Sequence, residues 1–396
     1  MSNGSRRKVG PAPRIGALLA LVAAFAVASG SPSSGSARPA GRTVCDGSWS
    51  RIRNPQFGSD QLSGVAASSS SDAWAVGSSG GSGHEHAVIQ HWNGSAWSET
   101  PAPSPAPRTA LAGVAEIGLA DVWAVGFTQD VEQPIAEHWD GTSWSVVPTP
   151  GPSKVTFLYG VTGTGPDDVW AVGQYYPDFS VSSVLTMHWD GSTWSVVPAP
   201  NPNGAQAAGL SSVAALSPSD VWAVGSFTVP ESGTAASTLT EHWDGSAWAI
   251  VPSPNVDVYG SFLRGVAAAG TGDVWAVGYY ENAGLRGKTL VERWDGEAWA
   301  VVDSPNKGAT GTSILSAVTT GPGGQSWAAG YHVTSYSGYS TLVERFDGSA
   351  WVLQHSASPG AGEFQLLSGI AVTSDGYGWA VGQVGEQSLI EQACGL

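Results

Sequence analysis

The side chains of this chain best suited to chemistry are carboxylates, histidines and aromatics, and few of them are grouped. Asp130, Glu132, Asp178, Glu231, Glu281 and Glu386 fall in variable segments. Two such carboxyls across a cleft would suit glycoside cleavage, at about 5 Å apart for retention or about 6.5–9.5 Å for inversion. They are scattered one or two per segment, and no spacing pairs them. His91, His138, His188 and His242 share one position of a repeating pattern, where Arg293 and Arg345 stand in two other copies. A metal site needs several ligands on one ion, and residues a full repeat apart read better as structural partners. Asp72, Asp121, Asp168, Asp220 and Asp273 also recur and read as turn caps that accept backbone N–H groups. Glu137, Glu241, Glu292 and Glu344 read as ladder or inter-repeat partners. His84-Glu85-His86 is a local cluster outside the pattern, in a Gly/Ser-rich stretch that reads as solvated loop. No G-x-S-x-G, phosphate loop or clustered Cys/His site is present. No catalytic residue, metal ligand or cofactor is assigned.

Aromatic residues concentrate in the most variable segments: Phe127, Tyr175, Tyr176, Phe179, Phe227, Tyr279, Tyr280, Tyr331, Tyr336 and Tyr339. Those that follow the repeat argue for packing. Phe179, Tyr336 and Tyr339 do not recur and, with Tyr176 and Tyr280, are the expected ligand-binding residues. A tyrosine on a rigid scaffold offers an apolar ring and a polar hydroxyl, which suits sugar stacking or protein contact.

These residues are carried by a repeated unit, L-x-G-V-A-A…D-V-W-A-V-G…E-H-W-D-G-S-A-W-S-V-V-P-S-P. Its central tryptophan recurs at Trp74, Trp123, Trp170, Trp222, Trp275, Trp327 and Trp379, at intervals of 47 to 53 residues. That is the size of a four-stranded propeller blade. In the second copy, short apolar segments at 111–115, 122–126, 135–139 and 144–147 are separated by turn residues. Asp140-Gly141 marks a tight hairpin, and the pair recurs at Asp190, Asp244, Asp295 and Asp347. Prolines then end the fourth strand, because proline cannot donate to a ladder. The expected fold is all-β, a seven-bladed β-propeller with four strands per blade. Second-strand, third-strand and fourth-strand positions take seven, five and seven tryptophans, which exhausts the inventory of 19. Packing between blades is their expected role, with none left over as a ligand platform.

The last copy stops after three strands, and the missing fourth stands at the front of the domain as Cys45-Asp46-Gly47-Ser48-Trp49-Ser50. Closure of the last blade by this N-terminal strand removes the open edges of a linear array. The only two cysteines, Cys45 and Cys394, fall at this junction. In an intact blade their positions neighbour each other across the third-to-fourth-strand turn. A Cys45–Cys394 disulfide is therefore expected, the alternative being two free buried thiols.

With the repeat laid out, the order Gly-Val-Ala-Ala, Asp-Val-Trp-Ala-Val-Gly, Glu-His-Trp-Asp-Gly-Ser-Ala-Trp resembles the kelch repeat over residues 45 to 394. It departs in carrying one glycine (Gly77, Gly126, Gly173, Gly225, Gly278) where kelch has two, and Trp where kelch usually has Tyr. The resemblance implies a secreted bacterial variant of a binding scaffold and says nothing about the ligand.

The N-terminus differs in character. Arg6, Arg7 and Lys8 precede an apolar run at 15–28 that ends in small residues, the form of a cleaved Sec-type signal peptide. The run is too short to span a bilayer comfortably. The expected organisation is a signal peptide at 1–28, a Ser/Gly/Pro-rich linker at 29–42 and the propeller at 43–396. Residues 1–40 hold five basic and no acidic residues, so removing them takes the net charge from −16 to −21. Such a surface repels phosphate backbones and anionic lipid, so nucleic acid is not an expected partner, and no membrane span is expected. The expected protein is a secreted, extracellular, monomeric, non-catalytic binding module for a glycan or a cell-surface protein. The alternatives are a glycoside hydrolase or lyase that uses the loop carboxylates, and a purely structural surface protein.

Overall fold

A computed structural model describes residues 45–80, 86–130, 132–230, 235–256, 259–308, 310–334, 338–360 and 363–396. The chain divides into two units, Met1–Arg42 and Thr43–Leu396. The expected signal peptide and linker lie outside the described residues, as does Tyr336. Unit two is a seven-bladed β-propeller of seven four-stranded antiparallel sheets. Blade 1 consists of Asp60–Ser69, Asp72–Ser79, His86–Trp92 and Trp97–Glu99. Blades 2 to 6 repeat this plan from Thr109, Thr156, Ala207, Ser261 and Thr312. The first strand of each blade is innermost, packed against the first strands of its neighbours around the ring.

Each first strand carries the same irregularity. Register slips by one residue between Leu62 and Gly64, and at the matching point in every other blade. A bulge of this kind leaves one residue unpaired and bends the strand. It also explains the glycine that ends the second-strand motif: a Cβ on Gly77 would run into the carbonyl oxygen of Gln61, and the other six copies behave alike. The residue after the bulge must be small as well. A Cβ on Gly113 would stand 2.7 Å from the Tyr159 carbonyl oxygen of the next blade.

The core lies in the seams between blades. Trp74 of blade 1 is 5.1 Å from Trp139 and 5.3 Å from Trp144 of blade 2, the latter edge-on. Trp123, Trp170 and Trp222 repeat the arrangement with blades 3, 4 and 5. The second-strand tryptophans are at most 2% exposed. This bears out packing between blades, and each such pair adds about 0.5–1.5 kcal/mol beyond its area burial. The Asp-Gly turns are longer than a tight hairpin. Trp139 pairs with Trp144, leaving four residues in the loop. Asp140 Oδ1 accepts the N–H groups of Thr142 and Ser143, and only Gly141 has positive φ.

Blade 7 consists of Gln365–Val372, Tyr377–Val384, Gln387–Cys394 and, as its fourth strand, Ser50–Arg51. Ser50 pairs with Gln392 and Arg51 with Glu391. Cys45 and Cys394 form a disulfide with a Cα–Cα distance of 4.8 Å. The regular strand is shorter than the segment from Cys45 to Ser50 implied, yet Trp49 is 1% exposed, as buried as its equivalents in other blades.

Candidate functional site

Because strands alternate in direction, the second-to-third and fourth-to-first connections open on one face, the long-loop face. The short Asp-Gly turns open on the other. Of the expected ligand residues, Tyr176 and Phe179 share one loop of blade 3. Asp178 Oδ1 accepts the N–H groups of Ser180 and Val181, and this turn holds Phe179 out at φ +64° with half its surface exposed. A phenylalanine in the left-handed region is strained, and such strain persists only where neighbouring structure imposes it. Tyr176 is partly buried, meets Phe157 edge-on at 6.4 Å, and lies within 3.4 Å of the Gln174 amide. Tyr339 opens the third strand of blade 6, with its ring 4.8 Å from that of Phe364. Tyr280 is partly buried against the core cluster between blades 4 and 5. The five residues therefore do not form a single site: two lie together in blade 3, Tyr280 and Tyr339 belong to blades 5 and 6, and Tyr336 is outside the described residues.

Sequence reasoning missed Phe157, Tyr159, Phe262 and Arg264 of the first strands, which join Phe127, Tyr279 and Tyr331 on this face. In blades 2 and 3, Phe127 meets Phe157 edge-on at 5.0 Å and Tyr159 at 6.2 Å. The Gln174 amide donates to the Tyr159 hydroxyl at 3.2 Å, and burial pushes that phenol well above its usual value. In blades 5 and 6, Phe262 stacks on Tyr279 at 4.7 Å, and the Arg264 guanidinium lies 5.1 Å over the Tyr279 ring. Burial raises the neighbouring Tyr331, against the pull of Arg264. Each of these side chains is partly buried and keeps some surface. Tyr159 and Arg264 occupy the bulge residue of L-x-G, where the other copies have Ser63, Ala112, Ser211, Ser316 and Ser368. Departure from the repeat at that position was the available signal.

Of the loop carboxylates, Asp130 and Glu132 share the second-to-third-strand loop of blade 2, and Asp178, Glu281 and Glu386 belong to blades 3, 5 and 7. Asp130 is 3.8 Å from Arg108, and Asp178 is committed to its own turn. Glu132 and Glu386 are exposed, Glu281 ends a second strand, and Glu231 lies outside the described residues.

On the short-turn face the recurring aspartates are not turn caps. Asp72, Asp121, Asp168 and Asp220 pair with His91, His138, His188 and His242 of the same blade at 2.6–2.9 Å. Asp273 takes Arg293 at 2.8 Å. The reason is register: the histidine lies cross-strand from the second-strand tryptophan, two residues beyond the aspartate, and its ring turns toward the carboxylate. Among the described residues no group of three or more His, Cys, Asp or Glu could hold a metal ion. His86 is exposed at the start of a strand, while His84 and Glu85 lie outside the described residues. The third-strand glutamates are buried, and burial pushes Glu137, Glu241, Glu292 and Glu344 up to about 8. Glu344 accepts a hydrogen bond from Ser304 of blade 5, which bears out an inter-blade role for that residue, and Glu391 accepts one from Ser356 of blade 6. Among the described residues, the side-chain carboxyls of Glu137 and Glu241 have no hydrogen-bond partner.

No protein-family model and no curated protein matches the chain. Among solved structures, YCF48 bound to D1 peptide is 16% identical, with a TM-score of 0.55, covering 89% of this chain and 98% of that one. YCF48 from Cyanidioschyzon merolae is also 16% identical at a TM-score of 0.55, covering 87% and 98%. At this identity the likeness is one of fold, a β-propeller. Among the described residues no helix is long and apolar enough to cross a membrane.

Proposed function

We propose that this chain is a secreted, non-catalytic binding propeller whose long-loop face engages a glycan or a cell-surface protein. The observation that carries the reading is the pair of aromatic patches on that face: Phe127, Phe157, Tyr159 and Tyr176 in blades 2 and 3, and Phe262, Arg264, Tyr279 and Tyr331 in blades 5 and 6. Rings locked by packing but still partly exposed give contact area at little entropic cost. Phe179, held out in solvent beside the first patch, extends it. The commitment of Asp130 to Arg108 and of Asp178 to its own turn supports binding over hydrolysis. The disulfide fits an oxidising compartment, and the basic-then-apolar segment at 1–28 supports export by a cleaved signal. The blade consensus supports a kelch-related repeat. A glycan array and a pull-down from the producing cell's surface, both with the exported protein, test the reading. Binding that falls at least 10-fold in Tyr159→Ala or Tyr279→Ala supports it, and binding unchanged in both overturns the assignment to this face.

A further inference from the structure

We propose that the seams on the short-turn face, opposite the site just described, form a row of equivalent subsites for neutral sugar residues. Between blades 3 and 4 a cleft of about 410 Å³ is lined by Asp168, Trp170 and His188 on one side and by Pro218, Trp243 and Gly245 on the other. Between blades 4 and 5 a cleft of about 280 Å³ is lined by Asp220, Trp222 and His242 facing Thr271, Trp294 and Gly296. The two sets correspond position by position through the repeat. The larger falls near the bottom of the range for ligand clefts, about 300–1,000 Å³, and the smaller lies just below it, sizes that suit a single sugar ring rather than a larger ligand.

The same constellation stands at four consecutive seams. The imidazole lies 4.1–4.5 Å from the second-strand indole of its own blade. That indole is 4.9–5.1 Å from the third-strand tryptophan of the next blade. Those third-strand rings, Trp139, Trp189, Trp243 and Trp294, are only partly buried. They serve the seam and still present a ring surface to the cleft, a possibility that counting tryptophans had excluded. The seam between blades 5 and 6 is a variant, with Arg293 on Asp273 and Phe346 in the tryptophan's place at 4.6 Å from Trp275.

A blade does not need this set in order to fold. Blade 6 has Gln325 and Arg345 at the Asp and His positions, and blade 7 has Tyr377 and Gln392, yet both form the same four-stranded sheet. The chemistry of the set is that of carbohydrate recognition. An indole face matches the C–H face of a pyranose, while an aspartate and an imidazole fixed by each other present a carboxylate oxygen and a ring nitrogen to hydroxyl groups. The side chains of those histidines are 26–29% exposed and those of the aspartates 11–21%. The carboxylate in every cleft, with a chain charge of −16, selects against anionic sugars. Four weak sites in a row would bind a polysaccharide with an avidity 10²–10⁴ above that of one site, by roughly the usual multivalent gain.

The test is titration of the whole exported protein with methyl glycosides of glucose, galactose, mannose and N-acetylglucosamine, read by calorimetry and tryptophan fluorescence. The expected result is about four equivalent sites for one of these sugars and none for N-acetylneuraminic acid. His188→Arg and Trp243→Phe carry residues that neighbouring blades already tolerate, so they keep the fold. Each should remove one site, and the fourfold His→Arg variant should remove all four. A single site, a stoichiometry indifferent to these variants, or no binding of any probe overturns the proposal. Tyr159→Ala and Tyr279→Ala should leave the stoichiometry intact, so failure here and failure of the long-loop reading are separable.

Discussion

The seams between blades 1 and 5 and the two seams that flank blade 7 join the same kind of sheet by different means. Each of the first four is filled by three tryptophans from two blades, and the second-strand indole is backed by the His–Asp pair of its own blade. At the blade 6–7 seam the third-strand tryptophan is replaced by Ala393, and Trp327 packs with Trp49, which reaches it from the far end of the chain. At the blade 7–1 seam Trp379 shares a buried cluster with Trp92 and Trp97, but Tyr377 and Gln392 stand where Asp and His would be. The ordinary seams are held by packing between sheets already complete in themselves. The closing blade must first be completed by a two-residue strand, and a covalent link does what a continuous hairpin does elsewhere. Uniform architecture thus conceals one joint that depends on topology rather than on side-chain area.

The largest expected effect follows from breaking that joint. Cys45→Ala should cost up to about 5 kcal/mol by the loop-entropy argument for a crosslink spanning 349 residues. Guanidinium denaturation measures the loss, and hydrogen exchange should show Ser50 and Arg51 opening before any strand of blades 2 to 4. Equal protection throughout would erase the distinction between the seams. Next comes Trp222→Ala, which empties a buried position in an ordinary seam and should cost about 3–5 kcal/mol. Trp243→Ala, at the partly exposed ring beside it, should cost clearly less in the same denaturation experiment.

The buried glutamates add a pH dependence. Glu137 and Glu241 titrate near 8 when folded, against 4.5 for an ordinary carboxyl, because burial disfavours the charged form. The unfolded chain releases these protons from pH 4.5 upward while the folded protein keeps them to about 8. Their contribution is therefore fully favourable below pH 4.5, declines across that window, and is flat above it. Glu241→Gln should flatten part of the slope and raise stability at pH 8 by a few kcal/mol, on the order of the shift itself. Glu344→Gln should gain less, because Glu344 already has Ser304. Melting curves at pH 5 and pH 8 decide both. The smallest effect is Phe179→Asn, which should gain up to about 1 kcal/mol, since asparagine tolerates the left-handed backbone that phenylalanine resists. The same change should weaken any ligand bound at the long-loop face.

Much of the architecture was legible because it rests on local, repeated signals. A 47-to-53-residue period, an Asp-Gly turn and a fixed tryptophan register are written in neighbouring residues, so blade number and strand order follow by counting. The missing fourth strand and the positions of Cys45 and Cys394 made closure legible too, although the pairing is as distant as the chain allows. The candidate site was less legible. The expected ligand residues Tyr176, Phe179, Tyr280 and Tyr339 fall in blades 3, 5 and 6, and Tyr159, Arg264, Phe157 and Phe262 were passed over because they lie within strands. Four of the five aspartates read as caps face histidines 17 to 22 residues away, and Asp273 faces Arg293.

What the amino-acid sequence determined alone was periodicity: how many blades, which residue types recur in each, and where the ring must shut. What only the tertiary structure decided was adjacency between copies: which aromatics share the long-loop face, which tryptophan keeps an open side, and which buried carboxyl finds a serine. The physical reason is that a repeat specifies each blade against itself, through hydrogen bonds between consecutive strands. Contacts between blades depend on a bulge, a twist and a packing distance that no single copy contains.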